Sequence, residues 1–192
     1  MRRDGIHLLT AFAVAPGIVD LRFFVRAGSS AKTGTIRRRV VVPSLAEAVE
    51  AVVVGPMLAL PPAGKVVIPF QSRDRERLDT PFEIGGEPFV PDAAGILQGG
   101  RAREVCAFVR RPSASAPLEA SAALTRTGME PRVVPVEGTP WIVPGADGFE
   151  RLLVTIVPPA LPPGGYSLRL TLRDPATGQV ADAETEVVLE AP

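Results

Sequence analysis

Nucleophilic catalysis needs a serine or cysteine beside a base that a third group orients. In these 192 residues the material for it is sparse, with one cysteine, Cys106, and one histidine, His7. Cys106 sits within Glu104-Val-Cys-Ala-Phe-Val109, an apolar strand pattern in which a thiol is expected to be buried and inert. His7 precedes an apolar run near the N-terminus, where a histidine at the surface end of a strand is the expected reading. A single cysteine excludes an internal disulfide framework and any multi-cysteine metal site, and a single histidine excludes a histidine-rich one. Asp74, Glu76 and Asp79 cluster as a calcium loop would have them, but Arg73, Arg75 and Arg77 are interleaved with them. That alternation describes a solvated, salt-bridged loop. Gly99-Gly100 lacks the Lys-Ser/Thr of a phosphate loop and reads as a turn. The expectation is therefore a protein that is not an enzyme and uses no cofactor or metal.

Binding is the other kind of chemistry, and two places could carry it. Trp141 is the only tryptophan and lies between Pro140 and Pro144. Large aromatics mostly bury, so a packed ring is expected. An exposed one would be a ligand contact of the kind that stacks on sugars. Arg37 and Arg39 belong to an Arg triplet; in a strand they share a face, from which they could touch an acidic partner. The 21 basic and 21 acidic side chains give no net charge, which argues against a nucleic-acid partner. No apolar run reaches 18 residues, so no membrane span is expected.

The elements that must position these residues are strands. Twenty-one prolines and 18 glycines are spread along the chain. Proline breaks helices, and short strands joined by Pro/Gly turns tolerate it best. Tyr166-Ser-Leu-Arg-Leu-Thr-Leu-Arg173 alternates apolar and polar residues, and Asp174-Pro-Ala-Thr-Gly178 is a hairpin turn. Tyr166 is placed to pack its ring and bond backbone with its hydroxyl at a corner. The N-terminal stretch repeats this pattern at an offset of 147: Pro16-Gly17 matches Pro163-Gly164, Leu21-Arg22 matches Leu168-Arg169, and Arg26 matches Arg173. The first hairpin is expected to be about three residues longer. Leu8 to Val14 is read as a strand of the same unit in preference to a signal-peptide core.

Ser44-Leu-Ala-Glu47 has the form of a capping box before a helical turn. Ala51 to Val54 is a strand ended by Gly55-Pro56, and Lys65 to Phe70 is a strand whose Pro69 implies an edge or a bulge. Short strands flank Gly85-Gly86, and a hairpin surrounds Gly128. The fold expected is all-β, an immunoglobulin/fibronectin-III-like β-sandwich over residues 61–192. A partial sandwich unit of about three strands precedes it in residues 1–60. Three strands do not close a sandwich, so residues 1–43 must pair with the second unit, another chain, or an upstream domain.

Three stretches carry a resemblance. They are Pro16-Gly17 through Pro43; Phe89-Val-Pro91 with Ile96-Leu-Gln-Gly-Gly-Arg-Ala-Arg103; and Leu161 through Arg169 with Arg173 through Gly178. In this order they resemble the C-terminal β-sandwich region of acidobacterial VWFA-related domain proteins, in which a von Willebrand A-like domain comes first. The Asp-x-Ser-x-Ser metal motif of that domain does not occur here. The resemblance implies a module of a larger exported or surface protein, extracytoplasmic (in the periplasm or at the cell surface), whose biological start need not be Met1. Its partner would be a protein, either an upstream domain or another chain engaged by strand addition.

Overall fold

A computed structural model describes residues 14–26, 32–42, 52–60, 82–89, 91–92, 95–112, 117–145 and 148–191. Thirteen strands and no helix occur among them. The first two, β1 (Gly17–Arg26) and β2 (Thr33–Val42), pair with each other as an antiparallel hairpin. The rest build a β-sandwich. One sheet runs β3-β7-β11-β10, from β3 (Val53–Ala59), β7 (Arg103–Arg110), β11 (Glu150–Ile156) and β10 (Val136–Pro144). The facing sheet runs β6-β13-β12-β8-β9, from β6 (Ile96–Gln98), β13 (Val180–Glu190), β12 (Gly164–Arg173), β8 (Glu119–Thr125) and β9 (Arg132–Val134). All pairings are antiparallel except β6 on β13. A small hairpin, β4 (Glu83–Ile84) and β5 (Glu87–Pro88), turns at Gly85-Gly86.

Period-two alternation decides what each strand buries. In β12, Tyr166, Leu168, Leu170 and Leu172 enter the core, while Ser167, Arg169, Thr171 and Arg173 point outward. In β8, Ala122 and Leu124 meet them from the same sheet. The opposite layer supplies Val105, Ala107 and Val109 of β7 with Leu152, Val154 and Ile156 of β11. Yet β7 is buried on both faces, from Val105 to Val109 without interruption. Its alternate residues Cys106 and Phe108 join Leu153 in a second apolar cluster on the outside of the four-stranded sheet. Phe82, Ile84 and Phe89, in and beside β4–β5, cover that cluster, with Phe82 5.9 Å from Phe108 between ring centroids. A sheet covered on both sides explains why these strands read as nearly continuous apolar runs.

Arg151 is the polar residue in this second layer, and it is only 1% exposed. Its guanidinium lies 4.3 Å over the Phe108 ring. It donates to the Glu83 carbonyl at 3.2 Å and the Phe149 carbonyl at 2.9 Å, tying β4 to β11. Two ion pairs lock other strand ends, Arg103 to Asp92 at 2.5 Å and Arg111 to Glu150 at 2.7 Å.

Two local expectations change. Gly55-Pro56 does not end its strand: β3 runs on to Ala59 through a register shift between Val54 and Met57. A Cβ on Gly55 would lie 3.3 Å from the Phe108 Cβ, so glycine lets β3 bulge past β7 without a clash. Through that pairing β3 is a strand of the sandwich, although it lies ahead of residue 60. The first hairpin is also no longer than the second. Six residues separate Arg26 from Thr33, and six separate Arg173 from Val180, because pairing in β2 continues back through Gly34 to Thr33. The strand reading of Leu8 to Val14 falls almost wholly outside the described residues, and Val14 itself is not in a strand. The helical turn at 45–49 and the strand at 65–70 lie outside them too.

Candidate functional site

Trp141 lies on β10, the edge strand of the four-stranded sheet. Its register partners across that sheet are Leu153, Cys106 and Leu58, so it continues the row that forms the second apolar cluster. The inner members of that row are covered, but Trp141 is 64% exposed. The expected packed ring is therefore not found. Val143, two residues along, packs on the covered cluster, whereas Trp141 stands past its rim on the open side of an edge strand. The strand is irregular here, with a register shift between Glu137 and Trp141. Bulges and prolines of this kind keep an edge from recruiting further strands. What projects is a ring rather than a pairing edge.

Arg37 and Arg39 do share a face of β2, and both turn to the same carboxylate. Arg37 donates to Asp20 Oδ2 at 2.8 Å, and Arg39 donates through Nε to Oδ1 at 3.1 Å. The Arg39 and Arg37 guanidiniums hold the Asp20 carboxyl below its ordinary value of 3.8, with a small opposing effect of burial. Arg22 and Arg26 of β1 lie on this face as well, with Phe24 between them, 76% exposed. Four arginines against one aspartate make most of this face cationic, and exposed Ile18 and Val41 lie at its end.

Cys106 is free and buried. Burial pushes its thiol up to about 11, and the nearby Arg151 charge only partly opposes this. A thiol held protonated in this way is a core residue, not a nucleophile. His7, Asp74, Glu76 and Asp79 lie outside the described residues. Among the described residues, no group of three His, Cys, Asp or Glu side chains could hold a metal. Gly100 adopts a φ of +73° and donates its N–H to the Pro158 carbonyl at 2.7 Å, so Gly99-Gly100 is a turn. The Tyr166 hydroxyl donates to the Pro162 carbonyl at 2.7 Å, closing the corner that leads into β12.

A further feature was not singled out from sequence. The outer face of the five-stranded sheet carries an open groove of about 770 Å³, lined by Arg126, Ser167, Arg169, Glu184, Glu186 and Val188 among others. The polar positions of β12 and β13, two apart, are its signal; alternation shows that they share a face but not that the face is concave. Charges in the groove are largely matched. Ser167 donates to Glu184, Arg169 lies 3.6 Å from the same carboxylate, and Arg38 of β2 donates to Glu186 at 2.9 Å. Such a groove can exchange polar contacts with a bound surface.

No helix among the described residues is long and apolar enough to cross a membrane. No family model matches the chain, and no curated protein matches it.

Proposed function

We propose that this chain is a noncatalytic sandwich module of immunoglobulin type with a structural or protein-interaction role in a larger exported or surface protein. The strand order carries the reading. Taking β3 as strand A and β7 to β13 as B, C, C′, D, E, F and G, one sheet runs A-B-E-D and the other, after β6 at its edge, G-F-C-C′, an order that supports an immunoglobulin-like assignment. The Tyr166 hydroxyl bond at the start of the F-equivalent strand supports it, because a tyrosine corner occupies that place in such domains. Three arginines among the described residues serve architecture: Arg151 staples β4, and Arg111 and Arg103 lock strand ends. The resemblance to VWFA-related proteins adds the exported setting, as an analogy of sequence order. The test is a turnover screen over ester, phosphoester and glycoside substrates. No turnover above a heat-unfolded control is expected. Turnover lost on Cys106→Ser or His7→Ala would sink the reading.

The exposure of Trp141 favours a second reading, a carbohydrate- or ligand-binding module that uses its ring. Its emission should be that of a water-exposed indole. Quenching or a blue shift on titration with a glycan panel would support this reading, and an unresponsive spectrum would return the site to protein contact.

A further inference from the structure

The hairpins β1–β2 and β12–β13 have the same register after the offset of 147, so each position of one has a counterpart in the other. Their polar faces can therefore be compared position by position. On β12–β13 the charges are matched: Arg169 lies directly across from Glu184, and Arg173 reaches Glu119 of β8. On β1–β2 the position of Glu184 is taken by Arg37, so Arg22 lies directly across from a second cation. Like charges directly opposite one another destabilise a strand pair. Asp20 takes up Arg37 and Arg39, but Arg22 and Arg26 pair with no carboxylate among the described residues. The faces differ in a second respect. Ile18 and Phe24 stand where β12 has Gly165 and Thr171. Ile18 is 71% exposed, its cross-strand partner Val41 70%, and Phe24 more than either.

We propose that this face of β1–β2 lies flat on an anionic lipid surface, its arginines on headgroup phosphates and its three apolar side chains at the acyl boundary. This is a binding function beyond the protein-interaction reading and independent of it, and it needs no spanning segment. Charge complementarity carries the first half. Guanidiniums bind phosphate oxygens through paired, charge-assisted hydrogen bonds, and an anion seated between Arg22 and Arg37 turns their repulsion into attraction. The apolar side chains select a bilayer over other anions. A soluble phosphate has nothing to offer Phe24. A folded acidic partner would need separate pockets, because Phe24 stands between Arg22 and Arg26, about 20 Å along the strand from Ile18. A bilayer boundary receives isolated apolar side chains and cations together, with no pocket.

The test is co-sedimentation of the full chain with vesicles of phosphatidylcholine alone and of phosphatidylcholine mixed with phosphatidylglycerol. The chain should pellet with the anionic vesicles and not with the zwitterionic ones, and added salt should weaken the binding. Arg22→Gln with Arg26→Gln, which leaves the contacts of Asp20 in place, should weaken it by about tenfold or more. Phe24→Ser should weaken it severalfold at low and high salt alike, which reads insertion apart from charge. Arg132→Gln with Arg173→Gln removes the same charge from the sandwich and should leave binding unchanged. The sandwich's unfolding transition, followed in every variant, shows that the fold survives. The proposal is overturned by a chain that ignores anionic vesicles, the outcome expected if an acidic protein is the partner. Equal pelleting with both kinds of vesicle, an equal loss in the sandwich control, or binding that Phe24→Ser leaves intact overturns it as well.

Discussion

Leu170 of β12 is fully buried, and its counterpart Phe23 of β1 is 40% exposed. The two residues occupy the same position in hairpins with the same register, the same strand length and the same six-residue connection. The difference lies in what stands opposite. β12–β13 faces β7 and β11 across the core, whereas among the described residues β1–β2 has no other strand in its sheet and meets the sandwich through the exposed Arg38–Glu186 pair. Register and turn length are set within the hairpin, by alternation and by glycine at the strand start. Burial is a tertiary property that the same local pattern can have or lack.

The sharpest way to break this comparison is to truncate both members of the pair. Leu170→Ala should cost about 2–5 kcal/mol, the range for a buried leucine whose cavity cannot fully collapse. Phe23→Ala, measured by urea unfolding in dilute solution, should leave the sandwich within about 0.5 kcal/mol of the parent. Equal losses would mean that the two faces are equally covered.

The four-stranded sheet offers an intermediate case, an outer apolar face that a short hairpin does cover. Arg151→Ala should detach that cover at a cost of about 2–3 kcal/mol, since two carbonyls lose a charged donor and Phe108 loses its cation. Iodoacetamide labelling gives the local readout. Cys106 should resist it in the parent at neutral pH and react faster in the variant, because the thiol is buried and held protonated. As its folded value lies above the ordinary 9.0, rising pH between about 9 and 11 should lower stability, the unfolded chain releasing its thiol proton first. Tyr166→Phe is the smaller change, about 1 kcal/mol for the hydroxyl bond to Pro162. The first hairpin has no equivalent bond, because its counterpart residue is Val19.

Most strands of the sandwich were legible because each carries a simple alternation between punctuating glycines and prolines. β12 is the clearest, and Tyr166 could be placed at a corner from the Pro-Pro-Gly-Gly ahead of it. Cys106 could be placed inside for the same reason, its neighbours all being apolar. Failures came where a non-local partner decides. Gly55-Pro56 has the composition of a strand end, and only the presence of Phe108 opposite shows why the chain bulges there and continues. Trp141 has the residue type of a core and the position of an edge, and strand order across a sheet is not written in any one strand. The shared carboxylate of Arg37 and Arg39 was hidden for a related reason. Asp20 is remote in sequence and meets them only once the register is known.

That carboxylate gives the finest comparison between the two hairpins and the smallest expected effect. The counterparts of Asp20, Arg37 and Arg39 are Ser167, Glu184 and Glu186, so one cross-strand contact is built twice with its chemistry inverted. In β1–β2 two cations donate to a carboxylate, and in β12–β13 a hydroxyl donates to one. Asp20 is held below 3.8 chiefly by Arg39 and then by Arg37. A carboxyl depressed on folding contributes above its unfolded value and loses that contribution as pH falls through the folded one. Between pH 7 and about 4 the hairpin contact should therefore not change, and it should weaken only under stronger acid. Carboxyl-carbon NMR shifts of Asp20 read this directly, with a midpoint expected below 3.8. Arg39→Ala should raise that midpoint more than Arg37→Ala, because Arg39 reaches both carboxylate oxygens, at 3.1 and 3.5 Å, and Arg37 one. Added salt should shrink both shifts, since the group is exposed and its partners are screened. An unshifted midpoint, or the reverse order of the two variants, would mean that the pairing of β1 with β2 does not hold Asp20 against these arginines in solution.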